Sequence, residues 1–275
     1  MNIGQLERII ESTQGFPSLP TVIAQAFQVI NDPDSSVKEV TEIISKDQAI
    51  ASKLLKLVNS AYYGIGKRVA TINQAISILG FDTVSNLLFG ISIFDAFKVK
   101  EFDLYQFWQH AIATSHAAKF FAMQAKYNMP DKAAIVGLVH DIGKLLFMIT
   151  IPSEYKQVKK LATSAVIADI LAEYKILGLD HAQGGLLVAQ KWGWPNFLAE
   201  ALRYHHLPLK STIDFQLTCF TYLGNLVSHA MFEPDMKLPV IDWSKMPVKQ
   251  QHWDLCLKFL EQNKSQIDDF LRFVG

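Results

Sequence analysis

The sequence has little that could tie it together covalently. Only two cysteines, Cys219 and Cys256, occur in 275 residues, too few to staple a chain of this size; they read as buried or idle thiols in a reducing compartment. An excess of charge is missing as well, since 26 Lys and Arg balance 26 Asp and Glu. A basic surface for nucleic acid or anionic lipid would upset that balance, and Lys53, Lys56, Lys67 and Arg68 cluster only modestly. Nucleic acid is therefore not an expected partner. A bilayer span needs about 20 apolar residues free of charge. The most apolar stretch, residues 133–151, is interrupted by His140, Asp141 and Lys144, so no membrane helix is expected. The first ten residues carry an apolar stripe broken by Gln5, Glu7 and Arg8, unlike a secretion signal, and a cytoplasmic location is the expectation. Half of the residues are apolar, which excludes disorder as an overall description.

Strand alternation is scarce, no Asn-Gly hairpin signal occurs, and no internal repeat is visible. Apolar residues instead recur at helical spacing almost throughout. Val22, Ala26, Val29 and Ile30 share a face that breaks at Asn31-Asp32-Pro33-Asp34, and Ser36 with Glu39 forms a capping box for the next helix. Ile50, Leu54, Leu57 and Val58 mark a third helix, closed by Ala61-Tyr62-Tyr63-Gly64. After a polar seam at residues 98–102, the spacing predicts helices over 104–127, 131–149, 153–177, 181–192, 195–205 and 214–232, then a last one over 248–273. The expected fold class is all-α.

All eight histidines lie beyond residue 109. One stands next to a carboxylate in an apolar run, Leu138-Val139-His140-Asp141-Ile142-Gly143-Lys144. An ionised Asp there is costly unless paired or bound to a metal; a hydrogen-bonded core histidine is the plainer reading of such a pair taken alone. Lys144, one turn on, can meet a phosphate or pair with Asp141. His181 opens a helix after Asp180, and His205-His206 end another; imidazole is a frequent ligand of Fe, Mn, Ni and Zn. His110 and His116 sit six residues apart and face different ways, so only one can join a shared site. Glu173 is either a partner of a ligand histidine or part of a solvated helix face. His229 and His252 match no motif and read as surface or capping residues. Trp108, Trp192 and Trp194 read as core aromatics.

Several segments in order resemble a known family: Phe16-Pro17-Ser18-Leu19-Pro20, Ile44-Ser45-Lys46-Asp47, Lys53-Leu54-Leu55-Lys56-Leu57-Val58-Asn59-Ser60-Ala61-Tyr62-Tyr63-Gly64, Gly137-Leu138-Val139-His140-Asp141-Ile142-Gly143, Leu179-Asp180-His181, Trp194-Pro195 and His205-His206. Together they resemble the HDOD (HD-related output domain) proteins of bacterial signalling, relatives of the HD and HD-GYP metal-dependent phosphohydrolases. The resemblance covers roughly residues 16–212. It implies an N-terminal helical bundle over 1–100 packed on an HD-like bundle over 101–212, leaving 213–275 as a helical extension.

The resemblance also implies a site. His110 matches the first histidine of the HD pattern and His140 with Asp141 the central pair, while His181, His205 and His206 resemble the additional histidines of the two-metal relatives. Asp141 and Lys144 would be the catalytic residues of an active member. Three departures stand out. Gln48 follows Asp47 where the family usually has proline, which touches a helix start and no chemical group. No Gly-Tyr-Pro follows His206, which argues against a cyclic dinucleotide phosphodiesterase. Asn225 stands where the last acidic ligand belongs, leaving a weak ligand without charge. Asp141, His181, His205 and His206 would then suit one ion, with His110 and His140 as a weaker second half-site. One or two divalent transition ions (Fe, Mn, Ni or Zn) are implied, with Glu173 behind a ligand. The expected role is a signalling module acting on a protein partner; the alternative is a phosphohydrolase acting on a nucleotide or other phosphate ester.

Overall fold

Short polar side chains set where helices begin in this chain. Asp47 accepts from the backbone N–H groups of Ala49 (3.0 Å) and Ile50 (3.1 Å), Thr71 from Gln74 (3.2 Å), and Asp214 from Leu217 (3.0 Å). Each satisfies a donor that the first helical turn leaves without an intrahelical partner. These positions come from a computed structural model, which describes residues 1–12, 16–17, 21, 24–25, 37–45, 47–59, 65–97, 99, 102–165, 168–265, 267–268 and 271. Ser36, Ser60, Tyr62, Tyr63 and Gly64 lie outside the described residues. Every regular element among those described is helical, so the chain is all-α.

The chain divides into two compact units, Met1–Phe16 with Val99–Gln262, and Pro17–Lys98 with Asn263–Gly275. The second unit holds helices α2 (Val37–Ser45), α3 (Gln48–Val58), α4 (Ile72–Leu79) and α5 (Phe81–Ala96). Leu54, Leu57 and Val58 of α3 are fully buried, as are Val84 and Leu88 of α5 to within 2%; each such aliphatic side chain contributes about 1.5–3 kcal/mol. Gln48 leaves the start of α3 intact because Asp47 does the capping. Asn59 ends α3 and clamps the following loop, its amide donating to Val69 O and its oxygen accepting from Val69 N, both at 2.7 Å.

The first unit holds α1 (Ile3–Ser12), α6 (Tyr105–Gln124), α7 (Pro130–Val139), α8 (Ile142–Thr150), α9 (Pro152–Ala165), α10 (Asp169–Ile176), α11 (His181–Lys191), α12 (Asn196–Tyr204), α13 (Phe215–Phe232) and α14 (Gln251–Gln262). The long α6 packs against α7 and α13. Trp108 and Trp194 are buried there, and so are both cysteine thiols.

Three expected helices differ. The helix over 131–149 is two helices, α7 and α8, interrupted at His140-Asp141. The helix over 153–177 is likewise two, α9 and α10. The last helix starts later than 248, at Gln251, and runs to Gln262; after a turn at Asn263, residues 264–265, 267–268 and 271 are helical again. Apolar residues recur at helical spacing on both sides of the first break, so spacing alone does not register it. Pro130–Thr150 has the length and hydropathy of a membrane span, yet 78% of its most apolar window is buried inside the unit.

Candidate metal centre

The break between α7 and α8 is what presents the His-Asp pair. Adjacent residues of an unbroken helix diverge by about 100°; here Asp141 leaves helical geometry at φ −95° and ψ 10°, and its carbonyl accepts from Lys144 N at 2.8 Å. The new helix runs hard against the start of α11. A Cβ on Gly143 would lie 1.9 Å from His181 O and 2.6 Å from Gly185 N, so only glycine permits this approach. Asp180 caps α11 by a reciprocal box with Gln183 (2.7 and 3.1 Å), fixing His181 as its first residue.

His140, His181 and His205 each have their Nδ1 spoken for. His140 Nδ1–H donates to Gly137 O (2.8 Å) and His205 Nδ1–H to Leu202 O (2.7 Å). Carbonyls only accept, so the proton sits on Nδ1 and Nε2 keeps its lone pair. His181 donates both its backbone N–H (2.8 Å) and Nδ1–H (2.6 Å) to Glu173 Oε2. The Nε2 atoms then converge: His181 lies 3.3 Å from His205 and 2.8 Å from His206, and His110 lies 3.2 Å from His140. Lone pairs facing one another at such distances repel unless a positive charge sits among them. Ligands about 2.0–2.1 Å from one ion at tetrahedral angles stand roughly 3.3 Å apart, so the donor set fits a transition metal.

Asp141 sits among these rings, 3% exposed. Oδ1 is 3.1 Å from His181, 3.4 Å from His140 and 3.7 Å from His205. Six side chains thus form two groups that could hold an ion, Asp141 with His181, His205 and His206, and His110 with His140 and Asp141. Burial would raise the Asp141 pKa, but His140, Lys144 and His181 hold it well below the usual carboxylate range. Burial brings His140 down to about 4 and keeps His205 and His206 well below normal. Burial opposes a charge on His181 too, yet Glu173 and Asp141 outweigh it and raise its pKa to about 10. The cluster therefore holds a positive charge that a metal ion would replace.

The structure brings all six metal candidates together, with Lys144 beside them on Asp141 (2.7 Å). Glu173 is fully buried, which removes the solvated-face reading; Tyr155 donates to its other oxygen at 3.4 Å. Replacing Glu173 by Gln should weaken metal affinity by about 10–100-fold with helix content unchanged. Equal affinity in a metal titration would show that His181 needs no such anchor. Asn225 is buried on α13 and does not line the cavity above the cluster; from that helix it is Ser228 whose Oγ meets His110 Nδ1 at 2.9 Å.

Three contributors went unread in the sequence. His229 is no stray surface residue: its ring centroid lies 4.3 Å from that of His110. Ser228 precedes it without any motif. Asp169 pairs with Lys144 at 3.1 Å, and its only signal was falling one turn before Glu173. His252 does act as a cap, accepting from Lys249 N at 3.2 Å, and His116 takes no part in either donor group. The cluster opens into a cavity of about 480 Å³, floored by His110, Asp141, Lys144, His181 and His206 and walled by Phe107 and Phe232.

With that geometry in place, the chain can be set beside known proteins. The model of the HDOD domain family matches residues 16–208. An uncharacterised protein of Treponema pallidum is 27% identical over 221 residues, which is 75% of this chain and 42% of that protein. The chain spans less than half the length of the curated relatives it matches. Among solved structures, an HDOD domain protein of unknown function from Geobacter sulfurreducens superposes with a TM-score of 0.81 at 19% identity, covering 99% of this chain and 97% of that one. A candidate phosphohydrolase from Shewanella amazonensis gives 0.78 at 24% identity, covering 98% of each. A candidate signal transduction protein from Marinobacter aquaeolei gives 0.83 at 21% identity, covering 98% of this chain and 65% of that one. At these identities the likeness is one of fold.

Proposed function

The chain belongs to the HDOD domain family, matched over residues 16–208, and from that premise we propose that it is a cytoplasmic signal-transduction module whose first unit is organised around bound transition metal. The observation that carries the metal is the convergence of the Nε2 atoms of His181, His140, His205 and His110 on the Asp141 carboxylate at 3.1–3.7 Å, with the Nδ1 protons of His140, His181 and His205 directed away. Asp141, His181, His205 and His206 would hold the ion, chosen among Fe, Mn, Ni and Zn by these nitrogen-rich donors. Its output would pass through helix-surface contact with a protein partner. The family's place in signalling and the candidate signal transduction protein among its fold relatives support that output.

The cavity favours a second reading, a phosphohydrolase. A bound ion supplies Lewis acidity toward a phosphoryl oxygen. Within the chain, Glu173 holds His181 in register, Phe107 and Phe232 give the cavity apolar lining, and Lys144 adds a cation to it. Against turnover, Asp141 is the one carboxylate among the six candidate ligands, and Lys144 already engages it.

An assay separates the two. Protein loaded with manganese, zinc or iron is tested on a simple aryl phosphate monoester and diester. The module reading expects no hydrolysis above that of Asp141→Ala. Metal-dependent turnover that disappears in Asp141→Ala would establish the phosphohydrolase instead.

A further inference from the structure

The two donor groups share one carboxylate, and a lysine stands on it. Asp141 gives Oδ1 to His181, His140 and His205. Its Oδ2 faces Lys144 Nζ at 2.7 Å and His110 Nε2 at 3.7 Å. With Oδ1 given to an ion among His181, His205 and His206, an ion in the group of His110, His140 and Asp141 would need that same Oδ2. An ammonium and a divalent cation cannot both draw on it closely, because like charges repel strongly at this range in a poorly solvated site. Lys144 is itself only 7% exposed, so its charge must keep an anionic partner.

Asp169 supplies a second one. Its Oδ2 lies 3.1 Å from the same Nζ, and Lys159 grips both Asp169 oxygens at 3.2 Å. The lysine therefore has two anchors, one inside the cluster and one outside it. It can lean from Asp141 toward Asp169 without leaving a buried charge unpaired.

Resting on the metal reading above, we infer that Lys144 is a built-in competing cation that confines the cluster to one tight ion. That ion takes Asp141, His181, His205 and His206, while the group of His110, His140 and Asp141 is held at low affinity. Asp169 sets how strongly: the more it draws the ammonium away, the more of Oδ2 it frees for a second ion. Lys144 is thus a residue that determines metal stoichiometry, and Asp169 positions it.

Zinc(II) titration of chelator-treated protein by calorimetry, with elemental analysis after gel filtration, reads this directly. Wild type should bind about one tight equivalent and a second roughly tenfold or more weaker. In Lys144→Gln the second equivalent should tighten and survive gel filtration. Adding His110→Ala to that variant should remove the second equivalent and spare the first. In Asp169→Asn, with the lysine left to Asp141 alone, the second equivalent should weaken further. Two tight equivalents in wild type, or one weak second equivalent unchanged in Lys144→Gln, would overturn the inference and leave the metal centre standing. No zinc in any variant would overturn the metal centre itself. Should Lys144→Gln fail to fold by circular dichroism, Asp169→Asn decides: an unweakened second equivalent overturns the inference.

Discussion

Asp141→Ala should lose its bound metal and melt well below the wild type. Asp141 is the common partner of both donor groups and of Lys144. Removing it takes an oxygen from any ion and leaves the buried ammonium with Asp169 alone. Breaking a buried ion pair on one side typically costs about 3–5 kcal/mol, and the lost contribution of bound metal adds to that. Asp141→Asn, which keeps the shape and drops the charge, should fall between the two. Unchanged metal content and melting temperature in Asp141→Ala would remove Asp141 from the centre of the site.

Gly143→Ala tests the scaffold and not the ligands. The added methyl would meet His181 O at 1.9 Å and Gly185 N at 2.6 Å, both backbone atoms that cannot swing aside. Helix α8 must then part from α11, which carries His181 away from Asp141. Overpacking of this kind costs about 1–3 kcal/mol or more, and metal affinity should fall with it although no ligand has changed. Gly66→Ala serves as the control, since nothing lies within 4 Å of a Cβ there; its effect should stay within about 0.5 kcal/mol. Equal melting temperatures for the two variants, with metal retained in both, would mean that the glycine contact does not hold the site together.

Helix identity was legible because one apolar stripe at helical spacing needs only the local sequence. The breaks were not. Nothing in Leu138-Val139-His140-Asp141-Ile142 announces an interruption, since no proline stands there and Gly143 reads as an ordinary small residue. The break becomes intelligible only with α11 in place, because it is the backbone of His181 that excludes a side chain at 143. The ligand candidates were legible for a different reason. Histidines beside an acid in apolar surroundings are chemically conspicuous, and the family resemblance ordered them. Glu173 remained open between two readings until burial decided it. Ser228, His229 and Asp169 act through side-chain approach across the fold, from α13 and α10, and sequence spacing carries no trace of such distances. His229 shows this most plainly, being 119 residues from the ring that it faces.

Elemental analysis of the purified protein, before any chelator or added metal, tests the metal centre most directly. About one tightly held equivalent of Fe, Mn, Ni or Zn per chain is expected of preoriented imidazoles gathered around one carboxylate. Protein that holds none, and takes up none when each ion is supplied under reducing conditions, would contradict that expectation. The histidines would then be a hydrogen-bonded core around Asp141, which Lys144 already pairs at 2.7 Å.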